Sequence, residues 1–445
     1  SITDRPFSPP PNRFTMTIAG PNHDVCAGLD PAQAPSPAFI VDLGRLRKNL
    51  AHLRSVQEAA GCKILLAQKA FSLWPVYPII REYLDGTCSS GAWEAQLAHE
   101  KFGGEVHVYS PAYTDVDMDE ILPIADHLSF NTPAQYQRFR DRVKSCGRKI
   151  ECGLRINPEV STGQTPLYDP CVPGSRLGSP SSALAGADLE GLDGLNFHTL
   201  CEQDSDALEA TLEGVEAKFG DLLRRVKWLN MGGGHHITRA GYDTERLIRL
   251  IKGIKERYGI AVYLEPGEAI ALGTGVLVST VLDTLHNAMD LAILDVSITC
   301  HMPDCLEMPY RPDIRGAGHP RELAHTYRLG GGTCLAGDII NHYSFDQPLK
   351  PGQTLIFEDQ AHYTMVKTTF FNGVKHPSRP AMGLLTQPIS FAGCPVVAAP
   401  LWPVAGQGLP VGVQIIAAPW REDLALRAAR VLEQAGVAGL KETAL

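Results

Sequence analysis

Leu43, Leu46, Leu50 and Leu53 recur at helical spacing through LGRLRKNLAHLRSVQEAAG, directly after a short strand-like FIVD that begins at Phe39. A repeating order of apolar strand and amphipathic helix follows. The strand-like runs are KILLAQ from Lys63, GTCSS from Gly86, EVHVYS from Glu105, HLSF from His127, IECGLRI from Ile150, LNFHTL from Leu195, KWLNM from Lys227 and AVYLEP from Ala261. Between them lie stretches such as TPAQYQRFRDRVKSCG and TERLIRLIKGIKERYG, each closed by a glycine, as helix ends often are. Eight strands alternating with helices predict an α/β fold, a (β/α)8 barrel. An open doubly wound sheet is the alternative on pattern alone, and it is usually smaller.

From Gly275 the period changes. VLVSTVLDTL, DLAILDVSI and QTLIFEDQAHYTMVKTTFFNG are β-rich with few helical stretches between them, which predicts a second, mostly β domain. After Pro377, short apolar strands are separated by Pro and Gly, and a last helix is expected from Glu422 to Gln434. Residues 1–36, with Pro6 and the run Pro9 to Pro11, read as a poorly ordered leader. The expected divisions are thus 1–36, a barrel over 37–274, a β domain over 275–378 and a tail over 379–445.

Composition narrows the function classes. The formal net charge is −9, from 40 basic and 49 acidic residues, so no general nucleic-acid partner is expected. No apolar run is long enough to span a bilayer, and no basic-then-apolar signal segment is found at the start, so no membrane role is expected. The 11 cysteines are scattered, with no CxxC pair, and read as reduced thiols of a cytoplasmic protein.

Residues at the C-terminal ends of barrel strands face the mouth, and here they are chemically unusual. Lys69 leaves the first strand in LLAQKAFS; a desolvated amine there is a Schiff-base candidate, and a solvated loop lysine is the plainer reading. Ser89, Ser90, Gly91 and Glu94 after the second strand read first as a helix start. His198 in NFHTL is either catalytic or a hydrogen-bonded core imidazole. Gly232, Gly233 and Gly234 after the seventh strand form either an anion cradle of backbone N–H groups or a flexible loop. His235 and His236 suggest a metal only weakly, since adjacent side chains diverge and no carboxylate is near in sequence; no metal is expected. Glu265-Pro266-Gly267-Glu268 ends the eighth strand, either as a surface turn or as a carboxylate held for a protonated ring nitrogen. Together an amine, an anion cradle, an imidazole and an acid around one mouth are the set that holds pyridoxal phosphate.

These residues resemble the fold-type III pyridoxal-phosphate decarboxylases, the alanine racemase and ornithine decarboxylase superfamily, and within it the carboxynorspermidine decarboxylases. The resemblance runs in order from 37 to 378 through LLAQKAFS, CSSGAWEA, GLRINPE, YDPCVPGSRLG, NFHTLCEQ, LNMGGGHHIT, LEPGEAI, CHMPDCLEMPYRP, GGTCLAGD and HYTMVKTTFFNGVK. It implies a barrel whose first strand is lent to the β domain, and a homodimer with shared sites. It implies that Lys69 bonds the cofactor aldehyde, that His198 lies on the ring, and that Glu265 keeps the ring nitrogen protonated. Ser90, Gly232 to Gly234, Gly267 and Tyr363 then belong to the cofactor site, with Tyr363 assisting at the phosphate. Cys334 would act at the reacting carbon and Asp338 on a substrate amine, both reaching a partner subunit. Arg155 and Asn157 would organise the barrel beneath the cofactor. Glu202, Asp304 and Glu307 are further acids for a carboxynorspermidine or carboxyspermidine substrate, which would leave as norspermidine or spermidine.

Past FFNGVK the resemblance stops. Residues 382–437 instead resemble the C-terminal end of amidase-signature hydrolases, through TQPISFAGCPVVAAP, GLPVGVQIIAAPWRED and ALRAARVLE, yet the chain has no Gly- and Ser-rich nucleophile segment of that family. A fusion with a junction near 378–382 is expected, leaving a β-domain edge without its closing strand. The competing readings are a non-catalytic relative with a regulatory or binding role and an amino-acid racemase or other decarboxylase on the same scaffold.

Overall fold

The computed structural model describes residues 25, 26, 28, 33–163, 168–307, 310–367, 396–401, 411–416 and 430–431. After β1 (Ala38–Val41), α1 (Leu43–Ala60) starts where Asp42 accepts the Arg45 N–H. It stops where Gly61 takes φ +64 and donates to Gln57 O, so a side-chain cap and a left-handed residue set its limits. Leu46, Leu50 and Leu53 are buried as the spacing requires, while Leu43 at the first turn is exposed.

The chain then runs through β2 (Lys63–Ala67), α2 (Tyr77–Arg81), β3 (Gly86–Ser89), α3 (Ala92–Lys101), β4 (Glu105–Tyr109), α4 (Asp115–Ile121), β5 (His127–Phe130) and α5 (Pro133–Ser145). It continues through β6 (Glu151–Arg155), β7 (Gly194–Asn196), α6 (Ser205–Leu223), β8 (Trp228–Asn230), α7 (Thr244–Tyr258) and β9 (Ala261–Leu264). β2 to β9 form a closed barrel in which neighbours are parallel and β9 returns to β2. All eight strand segments expected from sequence are its staves. The connection from β6 to β7 departs from the expected alternation, since its described residues hold only a 3-10 turn at Ser181–Leu184. Pro158, Pro170, Pro173 and Pro180 interrupt any helix there.

Apolar side chains seal the space between strands and helices, but the interior at the strands' N-terminal ends is partly polar. Lys63, Glu105, His107 and His127 meet there under Trp228 and Tyr263. The His107 and His127 rings stack with centroids 3.9 Å apart. The Trp228 indole fills space that only glycine leaves, since a Cβ on Gly153 or Gly194 would come within 2.4 or 2.0 Å of it.

After α8 (Glu268–Ala271) the second domain begins with β10 (Gly275–His286) and β11 (Asp290–Leu294). The short α9 (Ile298–His301) and α10 (Asp304–Glu307) precede β12 (His325–Gly330), β13 (Ile339–Phe345) and β14 (Thr354–Phe357). The sheet order is β1-β10-β11-β12-β13, with β14 also paired to β10, over a core that includes Leu277, Val281, Leu294, Tyr343 and Phe357. β1 thus joins this sheet before the barrel starts, pairing antiparallel with β10. β12 and β13 did not stand out in the hydrophobic pattern, because Arg328, Asn341 and His342 interrupt their apolar runs. QTLIFEDQAHYTMVK gives one strand rather than a β-rich stretch. Beyond it Asp359 and Tyr363 take φ of 53° and 50°, and the chain folds back onto the barrel.

Part of the expected leader is packed. Val25 is buried beside Val276, Val278 and Ile356, and its carbonyl accepts from Arg315 Nη2 at 2.7 Å. Most of the other leader residues, the FFNGVK segment, the junction near 378–382 and most of the expected helix at 422–434 lie outside the described residues. In the tail, β15 (Val396–Leu401) and β16 (Val411–Ile416) pair antiparallel.

Candidate active site

The turn after β2 is anchored on both sides of Lys69. Gln68 is fully buried, donating from Nε2 to Ser89 Oγ at 2.9 Å and to Glu94 O at 2.8 Å while its Oε1 accepts from Tyr77 Oη at 2.9 Å. Ala70 O accepts the Tyr363 N–H at 2.8 Å, and a Cβ on Gly267 would stand 2.5 Å from Ala70 Cβ. Between these fixed neighbours the Lys69 side chain is exposed at the mouth. Ser90 is exposed too; its N–H donates to Glu94 Oε2 at 2.7 Å, so this segment starts α3 as expected.

His198 follows β7, held through its carbonyl by Arg155 Nη2 at 3.1 Å. Its Nδ1 accepts the Gly233 N–H at 2.9 Å, which places the imidazole proton on Nε2 and leaves the ring neutral. Burial first, then the charges of Lys69 and Arg155, hold its pKa well below the usual histidine range.

The three glycines after β8 are required by space. Gly232 and Gly234 take φ of +68° and +80°, and added Cβ atoms would lie 2.3 Å from Phe197 O and 2.0 Å from Leu200 O. At Gly233 the obstacle is Glu265 O, at 2.4 Å. Asn230, the last residue of β8, ties this loop to the acid: its Oδ1 accepts from Gly232 N at 2.9 Å and its Nδ2 donates to Glu265 Oε1 at 2.6 Å. The Cys88 thiol also bonds Glu265 and is pushed well up, by burial first and then by that carboxylate.

A second group of side chains surrounds Tyr363. His236 Nε2 is 3.3 Å from Glu268 Oε1, and His362 Nε2 is 3.7 Å from the same oxygen and 3.3 Å from Asp359 Oδ1. The absence of a carboxylate near His236 in sequence therefore does not hold in space. Glu202, His236 and Glu268 offer ligand atoms within 4.8 Å of one another. Burial, then Glu268, raises the Glu202 carboxyl, while His362, once burial is outweighed, holds Glu268 low. Burial opposes protonation of His362, but Glu268 and Asp359 overcome it and keep its imidazole charged. His235, by contrast, is a core residue with Nε2 3.2 Å from Met231 O.

Asp304 and Glu307 lie on α10, each 2.5 Å from Lys367 Nζ, which also sits 5.4 Å from the Tyr363 ring centroid. An ammonium group thus already occupies this acidic pair. Cys334 and Asp338 are on the β12–β13 loop of the sheet domain, apart from the barrel strands. Cys334 is exposed. Asp338 is buried and does not present a free carboxylate for a substrate amine. Its Oδ1 accepts from Ser297 Oγ and Ile298 N, both at 2.9 Å, and its Oδ2 accepts from Thr333 Oγ1 at 2.6 Å. Gln68, Asn230, Glu268, His362 and Lys367 are contributors that the sequence did not single out. Asn230, a polar residue ending a barrel strand, was the one with a readable signal.

A family model described as pyridoxal-dependent decarboxylase, C-terminal sheet domain, matches residues 39–361. Carboxyaminopropylagmatine decarboxylase of Synechocystis is 49% identical over 346 residues, covering 77% of this chain and 89% of that protein. The crystal structure of Campylobacter jejuni carboxynorspermidine decarboxylase complexed with norspermidine superposes with a TM-score of 0.72 at 42% identity, covering 77% of this chain and 93% of that one. A separate 70-residue segment is 69% identical to the 1-carboxybiuret hydrolase subunit AtzE of a Pseudomonas species, spanning 16% of this chain and 15% of that protein.

Proposed function

The chain belongs to the pyridoxal-dependent decarboxylases, and from that premise we propose that it releases CO2 from the amino-acid end of a carboxylated polyamine, with carboxynorspermidine or carboxyspermidine as substrate. The observation that carries this reading is the mouth itself: an exposed amine at Lys69, a glycine cradle that any Cβ would fill, and an acid fixed by Asn230. Those residues fit pyridoxal phosphate. When bound, it supplies the electron sink that accommodates the electrons left as CO2 departs.

The chain's own groups do the rest. Lys69 would supply the amine that holds the cofactor. Gly232 to Gly234, with Tyr363, would hold the phosphate, Ser90 and Gly267 would complete the cofactor site, and Glu265 would keep a proton at the ring nitrogen. Neutral His198 would face the ring without adding charge to it. Cys334 moves a proton at its Sγ, and Asp338 anchors the loop that presents it through its buried hydrogen bonds. That loop serves a partner subunit's mouth in a cytoplasmic homodimer. Among the described residues no helix is long and apolar enough to cross a membrane. Asp304 and Glu307 receive the substrate's terminal cation in place of Lys367.

The 49% identity to carboxyaminopropylagmatine decarboxylase favours a second reading, in which that terminal cation is a guanidinium. Side-by-side turnover of the two carboxyl-labelled substrates by the cofactor-loaded chain separates them through kcat/KM. CO2 from neither, in protein that holds the cofactor, overturns both.

A further inference from the structure

We propose that Asn230 is a positioning residue for the reaction: it holds the Glu265 carboxylate as an acceptor toward the cofactor's ring nitrogen and couples that acid to the glycine cradle. This rests on the decarboxylase reading above and adds a residue to the machinery of the same mouth.

Asn230 closes β8, where its Cα stands opposite Asn196 of β7 and Tyr263 of β9. Its carbonyl accepts the Phe197 N–H at 3.0 Å, and the residue is only 4% exposed. The direction of its amide follows from chemistry. A backbone N–H can only donate, so the side-chain atom 2.9 Å from Gly232 N is the oxygen. The other end is then the NH2 group, which can only donate, and Glu265 Oε1 accepts from it at 2.6 Å. The backbone, not the acid, thus decides which way the amide points.

A third bond closes the circuit, since the Glu265 N–H donates to Gly232 O at 2.7 Å. The Gly232 end cannot drift: an added Cβ there would lie 2.3 Å from Phe197 O. The Cys88 thiol bonds the same carboxylate from the neighbouring strand end. Bracing the loop alone would need only Asn230 Oδ1. The bond made by Nδ2 is the shortest of the three, and it serves the acid.

An amide suits this place better than its isosteres. A ring nitrogen keeps its proton beside an acid that does not hold that proton itself. Asn230 donates at every pH and carries no proton to release. An aspartate there would donate only while protonated, because two carboxyl groups in this contact share one proton. A leucine would leave the Gly232 N–H and Glu265 Oε1 without their partner.

The test uses the full-length chain loaded with pyridoxal phosphate labelled with 15N in the ring, whose NMR shift reports the proton at that nitrogen directly. The wild type is expected to show a protonated ring. Asn230→Leu is expected to bind the cofactor with the ring proton lost and kcat lowered about 100-fold, by analogy with removal of one preorganised donor. Asn230→Asp keeps cofactor affinity and, at the acid end of the profile, kcat near the wild-type value. Its kcat then falls with rising pH along a limb that the wild type lacks. A protonated ring in Asn230→Leu, with only cofactor affinity reduced, overturns the proposal and leaves Asn230 as a brace for the glycine loop. If Asn230→Leu fails to fold or to load, Asn230→Asp decides alone: a pH profile that superimposes on the wild type overturns the proposal. An unprotonated ring in the wild type overturns it together with the role given to Glu265. A protonated wild-type ring without CO2 from either substrate sinks the decarboxylase reading, while the nitrogen signal in Asn230→Leu still judges Asn230.

Discussion

The two ends of the barrel use the same residue types to opposite purpose. At the floor, Lys63 and Glu105 form an ion pair, His107 Nε2 lies 3.1 Å from Glu105 Oε2, and His127 stacks on His107. Trp228 and Tyr263 close over them. Each charge there is met within the chain, and Lys63 and His107 hold the Glu105 carboxyl down at about 2 despite its burial. At the mouth, Glu202 stands beside His236 and Glu268, Lys69 is exposed and Glu265 accepts from Asn230 Nδ2. A lysine stands at the start of β2 and another two residues past its end: Lys63 is spent on structure, and Lys69 is exposed for chemistry. A Glu–His cluster is thus no sign of function by itself; unmet charge at the strands' C-terminal ends is.

Exchanging the two lysines' fates is the strongest way to break this contrast. Lys69→Ala is expected to lower kcat by about 10³-fold or more while the melting temperature is nearly unchanged. Lys63→Met is expected to leave kcat near the wild-type value and to lower stability by about 1–3 kcal/mol, by stranding Glu105. Urea titration beside steady-state kinetics checks both, and equal kinetic loss in the two variants would erase the distinction.

Glycine substitutions sharpen it. Gly234→Ala places a Cβ against Leu200 O at positive φ, with an expected cost of about 2–5 kcal/mol and loss of cofactor affinity, read by cofactor absorbance on titration. Gly194→Ala presses on the Trp228 ring; its stability loss is expected without a change in substrate preference. A shift in the kcat/KM ratio between substrates in Gly194→Ala would show that the floor takes part in recognition.

The smallest expected effect is a pH slope. Burial, then His107, pushes His127 down to about 2, opposed by Glu105, with Lys63 and Lys149 adding to the lowering. The folded chain therefore refuses a proton that the unfolded chain takes up below about pH 6.5. The stability held above that pH is lost as pH falls, by at most about 1.4 kcal/mol per unit. His127→Asn removes this contribution, so the wild-type and variant curves should converge between pH 6.5 and 5. Parallel curves would mean that His127 is already charged in the folded state.

Much of this was legible in the sequence because it is local. Each barrel strand is a short apolar run, and Lys69, His198, Gly232 to Gly234 and Glu265 each follow directly from one, so strand order alone brings them to the mouth. The second group was hidden because it is assembled from distant turns. Glu202, His236 and His362 come from three loops and Glu268 from the start of α8, and only closure of the barrel and the return of the chain at Asp359 and Tyr363 bring them together. Asp338 misled for the same reason. The resemblance implied an amine partner, while Ser297 and Ile298, about forty residues earlier in the chain, already supply its donors. In the same way, nothing local showed that Lys367 fills the space between Asp304 and Glu307.

The most direct measurement follows carboxynorspermidine through one complete conversion by the cofactor-loaded full-length chain, counting CO2, norspermidine and the configuration of remaining substrate. One CO2 and one norspermidine for each substrate consumed, with no inverted substrate, is the predicted result. Inversion without CO2, or no conversion by protein that retains its cofactor, would contradict the assignment of the mouth as a decarboxylase.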